Sequence, residues 1–88
     1  MPSVRLVIGN QRGLHARAAA KFVKLAGVFD AEIIVAKDGQ VVSGVSILGL
    51  MLLAAAIGEE IEITTAGEDQ VAALAALSEL VKNKFEES

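Results

Sequence analysis

The chain has 88 residues and a mass of 9.1 kDa, enough for a single domain over residues 1–88 and too few for two. It holds no cysteine, which excludes a disulfide framework, thiolate zinc and iron–sulfur clusters, and its net charge is −3. Hydrophobic residues make up 53% of it, yet only Phe22, Phe29 and Phe85 are aromatic and 15 residues are alanine, so an aliphatic core with closely packed helices is expected.

Taken from the N-terminus, Ser3 to Ile8 alternates, with Val4, Leu6 and Ile8 on one face, which predicts a strand. Gly9-Asn10-Gln11-Arg12-Gly13 then breaks the pattern as a glycine-flanked loop. From Ala16 to Ala26 the apolar positions Ala19, Phe22, Val23 and Ala26 recur at i, i+3, i+4 and i+7, while Arg17, Lys21 and Lys24 share another face. The spacing predicts an amphipathic helix closed at Gly27. Glu32 to Lys37 and Val41-Val42 flank an Asp38-Gly39 pair, the sign of two antiparallel strands joined by a tight turn. Ser46 precedes Ile47, Leu48, Leu50, Met51 and Leu52, predicting a short helix capped by the serine hydroxyl and running to about Leu53.

Glu60 to Thr65 alternates again, Ile61, Ile63 and Thr65 against Glu60, Glu62 and Thr64, as a strand with one wet face does. Beyond Gly67, Glu68 and Asp69 suit a helix N-terminus, and Val71, Leu74, Leu77, Val81 and Phe85 form an apolar stripe. The expected class is therefore α+β. Its element order is β-α-β-β-α-β-α, an open-faced two-layer sandwich with three helices on one face of a four-stranded sheet.

The longest apolar run, Ile47 to Ile57, has 11 residues, short of the ~18–20 that span a bilayer, and no export signal opens the chain. A soluble, cytoplasmic protein is expected. Charge is segregated along the sequence: residues 1–29 carry Arg5, Arg12, Arg17, Lys21 and Lys24 with no acid, whereas residues 30–88 hold all 11 acids against Lys37, Lys82 and Lys84. The first third thus suits an anionic partner.

Few residues can do chemistry. His15 is the sole histidine, so a multi-histidine zinc site is excluded, and neither a calcium loop nor a nucleotide-binding glycine pattern occurs. No metal and no cofactor are expected. A catalytic triad would have to rest on that one histidine, and Ser46 has none near it in sequence. His15 stands at the start of the first helix, where free N–H groups of Arg17 and Ala18 make an anion site and the Arg17 guanidinium can add two charge-assisted hydrogen bonds. Those are the parts of a histidine that accepts and releases a phosphoryl group. The plainer alternative is an exposed or capping histidine beside a solvated arginine.

Gly13-Leu14-His15-Ala16-Arg17 before an alanine-rich helix, and Ser46-Ile47-Leu48-Gly49-Leu50-Met51 about thirty residues later, closely resemble the HPr family of phosphocarriers of the bacterial phosphoenolpyruvate phosphotransferase system. The resemblance covers the whole chain. It implies that His15 receives a phosphoryl group on Nδ1 from phosphorylated enzyme I and passes it to an enzyme IIA domain. It further implies Arg17 as the phosphate partner, an antiparallel sheet in the order 1-4-2-3, and regulatory phosphorylation at Ser46 by an HPr serine kinase/phosphorylase. On this reading the protein is a carrier that acts stoichiometrically and not an enzyme. Two departures stand out. Ala18 takes the place of a common proline, restoring an N–H in the first turn. Gly44-Val45 replaces the Asn-Ala-Lys or Asn-Gly-Lys of many relatives, so the lysine before the serine is lost.

Leu14, Ile47, Leu48 and Met51, ringed by Arg17, Lys21 and Lys24, would form an apolar docking patch with a basic rim if the two helix starts are adjacent. The alternative places Leu48, Leu50 and Met51 in the core. Nucleic acid is not expected, since no aromatic platform accompanies the basic rim, and neither is a membrane; a monomer is. The alternative function is a non-catalytic regulatory module that binds partners through this patch and is switched at Ser46. Phe29-Asp30-Ala31-Glu32 and Gly58-Glu59-Glu60-Ile61-Glu62 resemble the nitrogen-related branch of the family, whereas the Ser46 context is closer to sugar-type members. General phosphotransferase use is favoured.

Overall fold

The computed structural model describes residues 1–87. Strand β1 (Ser3–Val7) leads through a loop into helix α1 (Ala16–Ala26), followed by β2 (Glu32–Lys37), β3 (Gln40–Ser43), α2 (Ile47–Leu52), β4 (Glu60–Ala66) and α3 (Gln70–Lys82). A 3₁₀ turn, Lys84–Glu86, follows α3. The four strands form one antiparallel sheet in the order β1-β4-β2-β3, so the last strand in sequence is an inner one. Its alternation sets the layers: Ile61, Ile63 and Thr65 are buried against the helices, while Glu60 is exposed and Glu62 and Thr64 half-buried on the open face. The register aligns Val4 with Ile63, Ile63 with Val35 and Val35 with Val42, a continuous apolar row under the helical layer.

The helices meet this row through small side chains. On α1 the buried positions are Ala18, Ala19, Phe22 and Ala26, and on α3 they are Ala73, Leu77, Ser78 and Val81. The expected α3 stripe is corrected at its start. Val71 is exposed, and the face turned inward begins at Ala73, whose small side chain lets the helix lie close to the sheet. Asp69 occupies the cap position but does not cap its own helix; its carboxylate accepts the Asp30 N–H at 2.7 Å, joining the loop after α1 to the start of α3. The β2–β3 turn is as the Asp-Gly pair predicts, with Asp38 and Gly39 both left-handed (φ 49° and 84°). At the next corner Gly44 passes so close to β2 that a Cβ there would stand 2.4 Å from Ile33 Cγ2, which accounts for a glycine two residues before Ser46.

Phe85 is not on α3, as its place in the stripe suggested. The chain reverses after Asn83, and Lys84, Phe85 and Glu86 are all left-handed, with φ of 56°, 54° and 62°. Non-glycine residues disfavour that region by roughly 1–2 kcal/mol each, so the turn needs an anchor. Phe85 supplies it: the ring is fully buried, and its carbonyl accepts a hydrogen bond from Lys21 Nζ at 2.9 Å. Phe85→Ala is expected to lower unfolding free energy by about 3–5 kcal/mol in urea denaturation. A loss below ~1 kcal/mol would mean that the tail is held by something other than the ring.

Candidate functional site

The loop between β1 and α1 is fixed from two sides. Gly13 is left-handed (φ +65°), and a Cβ at this position would lie 2.4 Å from the carbonyl oxygen of Ala55, beyond the end of α2. Only glycine allows that approach. The next residue uses it: Leu14 N–H donates to Ala55 O at 2.9 Å, and its side chain turns into the core at 5% exposure. Leu14 is therefore not part of an exposed docking patch, a correction to the expectation from sequence.

His15 follows as the residue that caps α1 with extended backbone (φ −83°, ψ −179°), its carbonyl accepting the Ala19 N–H at 2.8 Å. Its ring does not cap the helix. Instead Nε2 meets Glu87 Oε2 at 2.5 Å, and no hydrogen bond from a described residue reaches Nδ1. The imidazole keeps about a quarter of its surface exposed. Because no side chain caps α1 and its first turn contains no acid, the helix start retains its attraction for an anion.

Glu87 is itself held. Its other oxygen accepts a hydrogen bond from Asn10 Nδ2 at 2.8 Å, and the same amide donates to Gly13 O at 2.8 Å. Asn10 is buried, with its Oδ1 unpartnered among the described residues. The Asn10 hydrogen bond, aided by His15, draws the Glu87 carboxyl below the ordinary glutamate value against the opposing effect of desolvation. Neither Asn10 nor Glu87 was singled out from sequence. Asn10 had only its place in a glycine-flanked loop, and nothing in the pattern links it or His15 to a glutamate more than seventy residues away.

Arg17, in the first turn of α1, is exposed and lines a hollow of about 500 Å³ with Gln11, Arg12, Lys21, Glu86 and Glu87. Lys24 is exposed on the same helix, as expected of the rim. Lys21 is not free in that rim: its Nζ is spent on Phe85 O and lies 3.8 Å from Glu86.

Ser46 caps α2, its Oγ accepting the Gly49 N–H at 2.9 Å. Ile47, Leu48 and Met51 are exposed by 42, 67 and 41%, and only Leu50 of α2 is buried, so these three are surface residues and not core. The start of α1 is tied to the chain just past α2 by the Leu14 N–H to Ala55 O hydrogen bond. Among the described residues no group of three or more histidine, aspartate or glutamate side chains could hold a metal ion, and no helix is long and apolar enough to cross a membrane.

The family model "PTS HPr component phosphorylation site" matches residues 2–83. The chain is 44% identical over 88 residues to phosphocarrier protein HPr of Pseudomonas aeruginosa, covering 99% of this chain and 98% of that protein. To phosphocarrier protein HPr of Treponema pallidum it is 46% identical over 78 residues, 89% of each. Its backbone superposes on the crystal structure of HPr-C-His from Thermoanaerobacter tengcongensis with a TM-score of 0.95, at 40% identity and covering 100% and 99% of the two chains.

The lowered carboxyl of Glu87 has a consequence for stability. A depressed value in the folded state means that the contribution is present above the unfolded value of 4.5 and lost as pH falls through the lowered one. Glu87→Gln is therefore expected to melt below wild type at pH 7, with the gap closing at pH well under 4.5; calorimetry across that range checks it.

Proposed function

The chain belongs to the HPr family of phosphotransferase-system phosphocarriers, and on that premise we propose that His15 takes a phosphoryl group from phosphorylated enzyme I and gives it to an enzyme IIA domain. The observation that carries this reading is an imidazole at the start of α1 whose Nε2 is engaged and whose Nδ1 meets no described partner. Nδ1 is then the nucleophile. Its lone pair forms the N–P bond as the bond from phosphorus to the donor breaks, the departing electron pair staying on the donor. The uncapped N–H groups of the first turn of α1, and the exposed Arg17 guanidinium that the same turn carries, would serve the phosphoryl oxygens as donors. Reversal of the same step on a second protein makes the cycle a carrier's, with no net change in the chain.

Docking is assigned to Ile47, Leu48 and Met51, an exposed apolar group on α2, with Arg17 and Lys24 of α1 supplying positive charge for acidic partners in the cytoplasm. Ser46 borders this group, and its phosphorylation by an HPr serine kinase/phosphorylase would add roughly −1.5 to −2 charges there.

Incubation with enzyme I and phosphoenolpyruvate is expected to give an acid-labile, base-stable adduct on the wild-type chain and none on folded His15→Ala. Transfer to the folded variant would overturn the assignment, and an unmodified wild type would favour a purely regulatory module.

For Ser46→Asp, the carboxylate can still accept the Gly49 N–H, so thermal stability is expected to stay within about 0.5 kcal/mol of wild type. The added charge faces a partner surface that receives positive charge, so enzyme I should phosphorylate His15 more slowly, and the deficit should shrink at high salt. Equal rates at low salt would leave Ser46 as a helix cap alone.

A further inference from the structure

Three groups form a chain behind the reacting ring. Asn10 spends both amide hydrogens, one on Gly13 O and one on Glu87 Oε1, each at 2.8 Å, while its buried Oδ1 has no described partner. That pattern fixes which way the amide points. Turned over, its oxygen would face a carbonyl and a carboxylate, two acceptors with nothing to share. An asparagine so placed leaves one of its own atoms unsatisfied and commits its donors to the loop and to Glu87. The carboxylate, thus immobilised and 15% exposed, meets His15 Nε2 at 2.5 Å.

An ionised carboxylate accepts hydrogen bonds and cannot donate them, so the proton in this contact sits on the histidine. Its lowered carboxyl keeps Glu87 in that form at neutral pH. We propose that Glu87, held by Asn10, is a positioning residue for phosphoryl transfer: it keeps the ring proton of His15 on Nε2 and so leaves the Nδ1 lone pair to meet the phosphorus. The inference rests on the reading of His15 as the phosphoryl acceptor. It adds a role for a residue outside the span of 2–83 that the family model matches.

The same contact acts on charge. When the Nδ1–P bond forms and the bond from phosphorus to the donor breaks, the proton stays on Nε2 and the ring becomes cationic. The Glu87 carboxylate already faces that edge, on the side of the ring away from the incoming phosphoryl group, so it stabilises the developing positive charge without meeting the phosphoryl oxygens. A preformed carboxylate also needs no rearrangement at the moment of transfer.

The test uses the full chain labelled with ¹⁵N, with the imidazole nitrogens of His15 observed at neutral pH alongside single-turnover transfer from phosphorylated enzyme I. Wild type is expected to show a protonated Nε2 and an unprotonated Nδ1. In Glu87→Gln, whose amide can donate as well as accept, the two nitrogens should move toward averaged shifts, and the transfer rate should fall about tenfold with KM little changed. Asn10→Ala, which keeps the carboxylate but removes its holder, should shift both readouts in the same direction by less. A tail that merely tethers the chain would lower the melting temperature of Glu87→Gln and leave the shifts and the rate alone, which would overturn the proposal. So would a wild-type spectrum with the proton on Nδ1, a result that needs no variant to fold. Absence of phosphorylation in wild type, with the Glu87-dependent Nε2–H form intact, would instead overturn His15 as acceptor, and the positioning role with it, while leaving the ring-proton assignment standing.

Discussion

The candidate site depends on one close approach of backbone to backbone, Gly13 against Ala55. A methyl group at residue 13 would stand 2.4 Å from the Ala55 oxygen, so the loop can reach the chain behind α2 only because no side chain is there. The contact then fixes the next two residues in turn. Leu14 donates its N–H to the same oxygen and buries its side chain, which leaves His15 to turn its ring outward at the mouth of α1. Gly13 also offers the carbonyl that orients Asn10, so one glycine sets both the His15 ring and the amide that holds the ring's carboxylate partner.

The elements were legible where period and turn chemistry agreed. The strand predicted over Glu60 to Thr65, which runs one residue further to Ala66, the Asp38-Gly39 turn, the amphipathic α1 and the Ser46 cap all appear where the spacing puts them, and the 1-4-2-3 order implied by the family resemblance is the order of the sheet. What failed to read through was tertiary. Val71 fits a helical stripe as well as Leu77 does, but which face of α3 turns inward is set by how closely a small residue, Ala73, lets the helix approach. Phe85 continued the stripe in sequence while the chain left the helix before reaching it, because the left-handed turn is held by burial that no local pattern encodes.

At the site, the same division holds. His15 and Arg17 stood out by residue type and spacing, since chemistry at a helix start has a local signature. Leu14 read as surface because an apolar residue beside an exposed histidine looks like a docking contact until the Ala55 hydrogen bond turns it inward. Lys21 looked like part of a basic rim and is instead tied to the tail. Asn10 and Glu87 act through each other across a long stretch of chain, and pairings of that kind leave no periodicity to find.

The position of β4 between β1 and β2 bears on how the molecule assembles. β1 and β2 do not touch as strands, and each must wait for residues 60–66 before its inner edge is paired. The hairpin of β2 and β3 can form early from local contacts, whereas the Ser3–Thr64 pairing closes a loop of about sixty residues and bears the entropic cost of doing so. A nascent chain that has exposed the Gly13-Leu14-His15 loop therefore displays His15 well before the sheet beneath it exists. The Asn10–Glu87–His15 contacts should consequently appear late and all at once during synthesis, since they need the C-terminal end of the described chain as well as the completed sheet.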